Sequence, residues 1–455
     1  MIPKVVTALI TTGVMLLPAR ASAHTLLSEL LVKVLLSDIV LAPPQGPFSS
    51  HEAHFQPIIG GDVAAGFEIN QLEVPLAINS IIAGQLATIP LGSSSGGFSY
   101  TFDPTLGTFS RESSTFGSAF VERALTAGRG RWNIGFNFQR ATYDTLEGKD
   151  LDNDVKVYLV HQDCCGTPNA PGVPPNPFFE GDVIENTLSL DLTSSTFSAF
   201  LTYGITDRLD FGVVVPVVTI NMRATVLASV VRLATAASPG IHQFEGGLSE
   251  QRFEESARAR GLGDMLLRGK FRFLDTPGGG LALGVDVRLP TGDSEQLLGT
   301  GGTQVETSLI ASMESGKLSP HVNLGYSFAS GGGSDPLSVT PEASDEFTYA
   351  AGFDMALHER LTFSTDVLGR TLRDIGRLVP VARQFPFVTQ SGDFGTATFE
   401  EFSLRPGDLN LVVGAAGIRF NPRGSFLISA QALIPITKSG LRDRITPVIG
   451  IDYSF

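Results

Sequence analysis

The sequence predicts an all-β fold, a transmembrane antiparallel β-barrel of about 14 strands, with 12 as the alternative, and a short helical N-terminal plug segment. Three observations carry the prediction. Segments alternate apolar and polar residues, the connections between them are unequal, and mean hydropathy is positive without a long uncharged apolar run.

Alternation is clearest over Leu262–Phe328. In "GDMLLRGKFRF", Met265, Leu267, Phe271 and Phe273 take one face of a strand, while Asp264, Arg268, Lys270 and Arg272 take the other. Successive side chains of a strand point to opposite faces, so one face is apolar and one charged. After the turn Asp275–Gly280, "LALGVDVRL" repeats the pattern with Asp286 and Arg288 on the polar side. Val305–Met313 and Val322–Phe328 follow, with Glu306, His321 and Asn323 opposite. A soluble sandwich alternates too, and the connections decide against it. Those after Phe273 and Met313 are tight turns; those after Leu289 and Phe328 are longer runs rich in Gly, Ser and acidic residues. Short periplasmic turns and long outer loops are the outer-membrane pattern. The outer loops are expected to hold Cys164, Glu254, Gly332 and Gln390.

Composition narrows the function. The chain has 455 residues, 17% charged, a net charge of −14 and two cysteines. Net acidity argues against nucleic-acid partners, and so few cysteines exclude a disulfide scaffold.

Residues 1–23 read as a signal peptide: Lys4, an apolar run from Val5 to Leu17, then the small-residue cleavage pattern Ala21-Ser22-Ala23. Export then places the mature chain in the outer membrane of a Gram-negative bacterium. Residues 24–84 form an N-terminal periplasmic or plug segment, and residues 85–455 the barrel. Leu26–Ala42 is apolar but interrupted by Glu29, Lys33 and Asp38 and ended by Pro43-Pro44, so it is a short helix rather than a span. It either packs in the barrel mouth or acts as a plug that moves during transport. His51, Glu52 and His54 are spaced H-x-x-H, which lacks the helix-face geometry of a zinc peptidase, and no metal site is expected. No cofactor is expected either.

From Gln85 the chain runs strand-like to Phe102, turns at Asp103–Gly107 and continues through Ala127. Counting this hairpin in the wall gives the larger strand number; placing it in the lumen gives the smaller. Trp132–Gln139 alternates next, and a long loop spans Glu147–Asp182. Asp150–Asp154 resembles the start of a calcium loop, but Val155 and His161 stand where Gly and Glu are required, which favours a solvated acidic loop. Cys164-Cys165 are adjacent, so a bond between them would be strained. Later hairpins turn at Thr206–Arg208, His358–Arg360 and Asn421–Gly424. The last strand carries Tyr453 and Phe455 on one face, and a terminal aromatic resembles the signal read by the barrel assembly machinery.

Along Val183–Ile205 the apolar phase runs on even positions to Leu192 and on odd positions from Phe197. A one-residue slip predicts a β-bulge at Thr193–Thr196, and Pro216 on the facing strand cannot donate to the ladder. Ser194, Ser195 and Pro216 are therefore lateral-gate candidates, or simply mark where long strands rise above the membrane.

The motifs "GLGDMLLRGKFRF", "VRLPTGD" and "LGTGGTQV", with "PLGSSSGGFSYTFDP" upstream, resemble the outer-membrane family linked to meta-pathway phenol degradation, itself similar in plan to long-chain fatty acid transporters. The resemblance covers most of Leu91–Phe455 and implies a monomeric channel for hydrophobic or aromatic molecules. On this basis the chain is expected to be an outer-membrane channel for passive uptake of small hydrophobic or aromatic compounds. A structural or surface-binding barrel without specific transport is the alternative. Lumen-lining candidates are the apolar Phe200, Leu266, Ile310 and Leu368; the charged Arg268, Lys270, Arg272, Asp286, Arg288 and Glu306; and His321, Asp366 and Arg370. The charged groups also serve a purely structural reading, since a barrel interior solvates itself with opposite charges on neighbouring strands. An enzyme is not expected: His321 is accompanied by no nucleophile motif. The remaining partners implied are outer-membrane lipid and lipopolysaccharide.

Overall fold

The computed structural model describes residues 26–43, 69–87, 100–103, 108–111, 113–160, 181–276, 279–330 and 343–455. The signal segment, His51, Glu52, His54, Cys164 and Cys165 lie outside the described residues.

Twelve antiparallel strands close into a ring. In chain order they are β1 (Trp132–Leu146), β2 (Val183–Gly204), β3 (Leu209–Val231), β4 (Met265–Thr276), β5 (Gly279–Leu289) and β6 (Gln304–Met313). Then come β7 (Leu318–Ala329), β8 (Glu346–His358), β9 (Leu361–Leu372), β10 (Leu409–Arg423), β11 (Phe426–Pro435) and β12 (Thr446–Ser454). Strand β1 closes the ring, pairing with β2 along Trp132–Tyr143 and with β12 along Asn133–Gln139. The smaller of the two expected counts holds, because the hairpin Tyr100–Asp103/Thr108–Arg111 is a separate two-stranded sheet. The strand expected to run on through Ala127 stops at Arg111, and residues 113–127 are irregular. They need no ladder, because lumenal side chains take their backbone N–H groups: Phe116 donates to Thr362, Ala124 to Ser312 and Ala127 to Asp210.

Outward residues of the ring are large, apolar and exposed, among them Phe136, Phe211, Leu283, Leu309, Leu324, Ile418 and Ile451. Their lumenal neighbours are buried and often polar or charged. A membrane reconciles the two, since lipid covers the apolar band while closure of the ring leaves no open sheet edge in the wall. The connections at 205–208, 314–317, 359–360 and 424–425 are short and share one rim. Trp132 and Phe455 meet at that rim and exchange two N–H···O bonds of 2.9 Å. The opposite, outer rim carries the long connections, and two of these are not the open loops expected. Glu254 lies in a strand, Glu250–Leu262, and Gln390 sits at the tip of the hairpin Arg377–Val388/Phe394–Arg405. Asp150–Asp154 turns on its own carboxylates, Asp150 accepting from the Asp152 amide and Asp154 from that of Asp150.

Strands β2 and β3 are 22 and 23 residues long, about twice what the bilayer requires. In the lower half of β2, Thr196, Ser198 and Thr202 face inward and Phe197 and Leu201 outward. In the upper half of β2 this reverses: Ile184, Leu188, Leu190 and Leu192 are buried inside, and Thr187, Ser189 and Asp191 face out. The pairing of β2 with β3 is in register throughout, so the predicted bulge at Thr193–Thr196 is absent. The apolar phase changes because the surroundings change, from lipid outside the wall to protein inside a cap.

The bulge lies on the other side of β3. Val214 pairs with Leu266 and Val217 with Leu262, so two residues of β3 oppose Gly263, Asp264 and Met265. Pro216 faces this defect, where its missing N–H costs no bond, and its carbonyl accepts from Gly263 at 2.9 Å. The three motifs that carry the family resemblance converge here. Asp264 of the first accepts from the Gly292 amide of the second at 3.0 Å, and from the amide and hydroxyl of Thr300 of the third at 2.8 and 3.0 Å. A Cβ at Gly292 would come within 2.8 Å of Gly299 backbone, so glycine is required for this close approach.

Helix α1 (Leu27–Val32), continued by a π turn at Lys33–Ser37, and helix α2 (Ile69–Ala87) fill the space inside the upper strands. Leu30, Leu35, Ile78 and Ile81 pack there with Ile220, Met222 and Val226 of β3 and Leu378 and Phe402 of the outer hairpin. Asn186 donates to the Leu35 carbonyl at 3.0 Å, and Lys33 pairs with Glu255. Helix α2 runs through Gln85, where the barrel was expected to begin.

Candidate functional site

Between cap and turn rim the lumen holds a cavity of about 310 Å³. Gln85, at the end of α2, forms its ceiling and receives a hydrogen bond from the Leu441 amide at 2.9 Å. Phe120 and Glu122, from the irregular segment, form its floor.

The wall has two characters. Strands β9 to β11 present Leu368, Leu411, Val413, Leu433 and Pro435, joined by Leu441 and the Tyr143 ring. These apolar residues were hard to assign from sequence, because "LVVGAAGI" is apolar on both faces of β10. Strands β4 to β9 present charge. Arg268 donates to both Asp286 oxygens at 2.8–3.0 Å and to Glu122 at 3.0 Å. Thr348 donates to Glu306 at 2.8 Å, and Arg370 pairs with Glu346 at 3.3 Å. Arg268 with Asp286 and Arg370 with Glu346 set opposite charges on neighbouring strands, whereas Glu306 stands across from Asp286, a like charge, and is held by the Thr348 hydroxyl.

The floor is pinned by charge. Lys270, 2% exposed, pairs with Glu122 at 2.9 Å and lies 4.0 Å from Asp210. Arg123 pairs with Glu314 and donates to Ser113 at 2.7 Å and Thr115 at 3.1 Å. Ser118 donates to Asp366 at 2.6 Å, whose other oxygen meets His321 at 2.7 Å. Serine and histidine thus bind the same carboxylate, each fully buried, rather than one another. A nucleophile relay needs the imidazole on the hydroxyl, so this triad of types works as a clasp.

The sequence-predicted lumen residues divide accordingly. Leu266, Arg268, Asp286, Arg288, Glu306, Leu368 and Arg370 line the cavity. Lys270, Ile310, His321 and Asp366 hold the floor, Ile310 packing on Ala124 and Ala282. Arg272 pairs with Asp275 at 2.7 Å near the turn rim, and Phe200 is half-buried on the inner face of β2 at the level of Gly135 and Val214. Of the gate candidates, Ser194 lines the cavity, with its hydroxyl 3.2 Å from that of Tyr143. Ser195 points outward, and neither serine sits at a ladder defect. Tyr453 stacks on Phe455, ring centroids 5.8 Å apart, on the outer face at the closing seam. Reasoning from sequence missed Phe120 and Glu122, which lie in a stretch without period, and Gln85, which is on a helix.

No curated protein matches the chain in sequence. Among solved structures it is similar to an outer membrane channel from Pseudomonas putida F1, at 11% identity over 73% of this chain and 98% of that one, with a TM-score of 0.42. It is also similar to the CymD monoaromatic hydrocarbon channel, at 11% identity over 72% and 89%, TM-score 0.35. A third is the toluene transporter TbuX of Ralstonia pickettii, at 11% over 72% and 90%, TM-score 0.28. The family model described as a putative MetA-pathway of phenol degradation matches residues 175–366, and so the family resemblance read in the Gly-rich motifs rests on a match that contains "GLGDMLLRGKFRF", "VRLPTGD" and "LGTGGTQV".

Proposed function

We propose that the chain is an outer-membrane channel for passive uptake of small hydrophobic or aromatic compounds, with helices α1 and α2 acting as a plug. The cavity carries this reading. It lies at the small end of the roughly 300–1,000 Å³ range of ligand pockets, which suits a compact ring better than a long acyl chain. One wall offers apolar surface and the other a fixed array of charges, so a ring bearing one polar substituent is matched on both sides. The phenol in the matched family's description supports the same ligand class. Water-filled pores offer such molecules no favourable surface, whereas this cavity does. His321 and Ser118 are spent in the clasp, and the residues described here favour transport over catalysis.

Uptake of monoaromatics and of fatty acids into a deletion strain carrying this chain is the test. Faster entry of monoaromatics alone is expected, and it should fall when Leu411→Arg charges the apolar wall. Equal entry with and without the protein would leave the structural-barrel alternative. We also propose Tyr453 and Phe455 as the assembly signal: deleting Phe455 should lower outer-membrane levels several-fold, and normal levels would refute it.

A further inference from the structure

We propose that the outer face of β1, β2, β3 and the strand Glu250–Leu262 is a binding site for the phosphorylated head of lipopolysaccharide. Arg140 pairs with Ser195, Ser195 with Thr219 and Thr219 with Arg260, so these four stand in one row across the sheet. Arg140 and Arg260 are exposed, about 14 Å apart over three strand spacings. One row higher, Thr142, Thr193, Asn221 and Arg258 align in the same way. One row below Arg140 and Arg260 lie Phe138, Phe197, Val217 and Leu262, three of them 40–45% exposed to lipid. The cations therefore begin where the apolar band ends, on the outer side.

Charge complementarity identifies the occupant. The chain is acidic, at −14, yet this patch gathers cations. Among the described residues none of Arg140, Arg258 and Arg260 has a carboxylate within ion-pair distance. Arg223, higher still, differs: it lies 3.6 Å from Glu254 and opposite Asp191. Elsewhere on the same rim Arg373 is paired with Asp408 at 3.3 Å. Unpaired guanidinium groups flanked by hydroxyls and an amide suit phosphate oxygens, which Arg grips with paired donors. Apolar rings directly beneath suit acyl chains. A phosphorylated sugar head with several acyl chains meets both demands at this depth; a free anion meets only the first. The site rests on the barrel's place in the membrane and not on the channel reading.

The experiment is a native mass spectrometry titration of the detergent-solubilised full chain with hexa-acylated bisphosphorylated lipid A. The triple variant Arg140→Gln, Arg258→Gln, Arg260→Gln should bind about a hundredfold more weakly, from roughly a fivefold loss for each cation at a membrane surface. A charge-matched control at the turn rim, Arg208→Gln, Arg360→Gln, Arg423→Gln, should bind like the wild type. Lipid A stripped of its phosphates, phosphatidylglycerol and inorganic phosphate should each bind the wild type far more weakly. Unchanged binding by the triple variant overturns the proposal. So does equal binding of any one of the three comparison probes, and those arms need no variant to fold.

Discussion

The lower and upper halves of β2 run in one register with β3, yet the faces of β2 are opposite in character. Inside the wall half of β2 stand Thr196, Ser198 and Thr202; inside its cap half stand Leu188, Leu190 and Leu192. Outside, Phe197 and Leu201 give way to Thr187 and Asp191. A strand has no apolar face of its own. Burial of apolar groups is favourable wherever water is excluded, which is outside the wall half and inside the cap half. The inversion at Ser195 and Thr219 therefore draws the outer membrane boundary, and the unpaired arginines begin at that row.

Two interiors follow, one held by charge and one by packing, and the sharpest way to break the comparison is to attack each in its own terms. In the wall half, Glu122→Gln leaves the buried Lys270 and Arg268 short of a carboxylate. Losing one partner of a buried ion pair costs about 3–5 kcal/mol. The floor should loosen, so single-channel conductance should rise and the melting temperature fall. Unchanged conductance would mean that the floor does not depend on this pair.

In the cap half, Ile220→Ala removes a fully buried side chain and should cost about 2–5 kcal/mol of cap stability. Thr219→Ala, one position away and facing out, should change stability by less than about 0.5 kcal/mol. Thermal melts of both variants measure the contrast. Equal effects would deny that the faces are inverted here.

The barrel was legible because alternation, turn length and the final aromatic each report on single strands or single turns. So were seven cavity residues, since Arg268, Asp286, Arg288 and Glu306 stand alone among apolar neighbours on strands of clear phase. The phase slip at Thr193–Thr196 was also visible, but period alone cannot tell a bulge from a change of environment. The real bulge, at Gly263–Met265, left no slip to read, because Gly263 has no side chain and Met265 and Leu266 are both apolar. Glu122 and Phe120 were illegible for a different reason: irregular backbone has no period, and the lumen that satisfies it comes from strands far along the chain.

At the seam between the halves, Asp264→Ala should strip an acceptor from the Gly292 amide and from the amide and hydroxyl of Thr300. The Thr300 hydroxyl keeps the Gly302 carbonyl at 3.3 Å, so the loss falls on the buried Thr300 amide and the half-buried Gly292 amide and should cost about 1–3 kcal/mol. Faster amide exchange confined to residues 290–303, with the wall strands unchanged, is the expected outcome. Loss of the whole fold would instead make this knot part of the wall.

The smallest effect concerns acid and the cap alone. Asp182, fully buried above the membrane, accepts from the amides of Ala234 and Thr235 at 2.8 and 3.1 Å, from the Thr235 hydroxyl, and from His242 at 2.8 Å. Burial by itself would raise its pKa, but the bonds from His242 and Thr235, the charge of His242 and the Ala234 amide outweigh it and hold the carboxyl below its ordinary value. A carboxyl depressed on folding stabilises the cap fully above its unfolded pKa of about 3.9, and that share is lost as pH falls through the lower folded value. Acidification below about pH 4 should therefore open residues 232–244, seen as amide exchange in excess of the intrinsic pH effect, while the wall strands stay protected. Asp182→Asn keeps one acceptor oxygen but loses the charge, so it should cost about 1–2 kcal/mol at neutral pH, and most of the acid-dependent opening should vanish. If the variant opens with acid as the wild type does, some other carboxylate governs the cap.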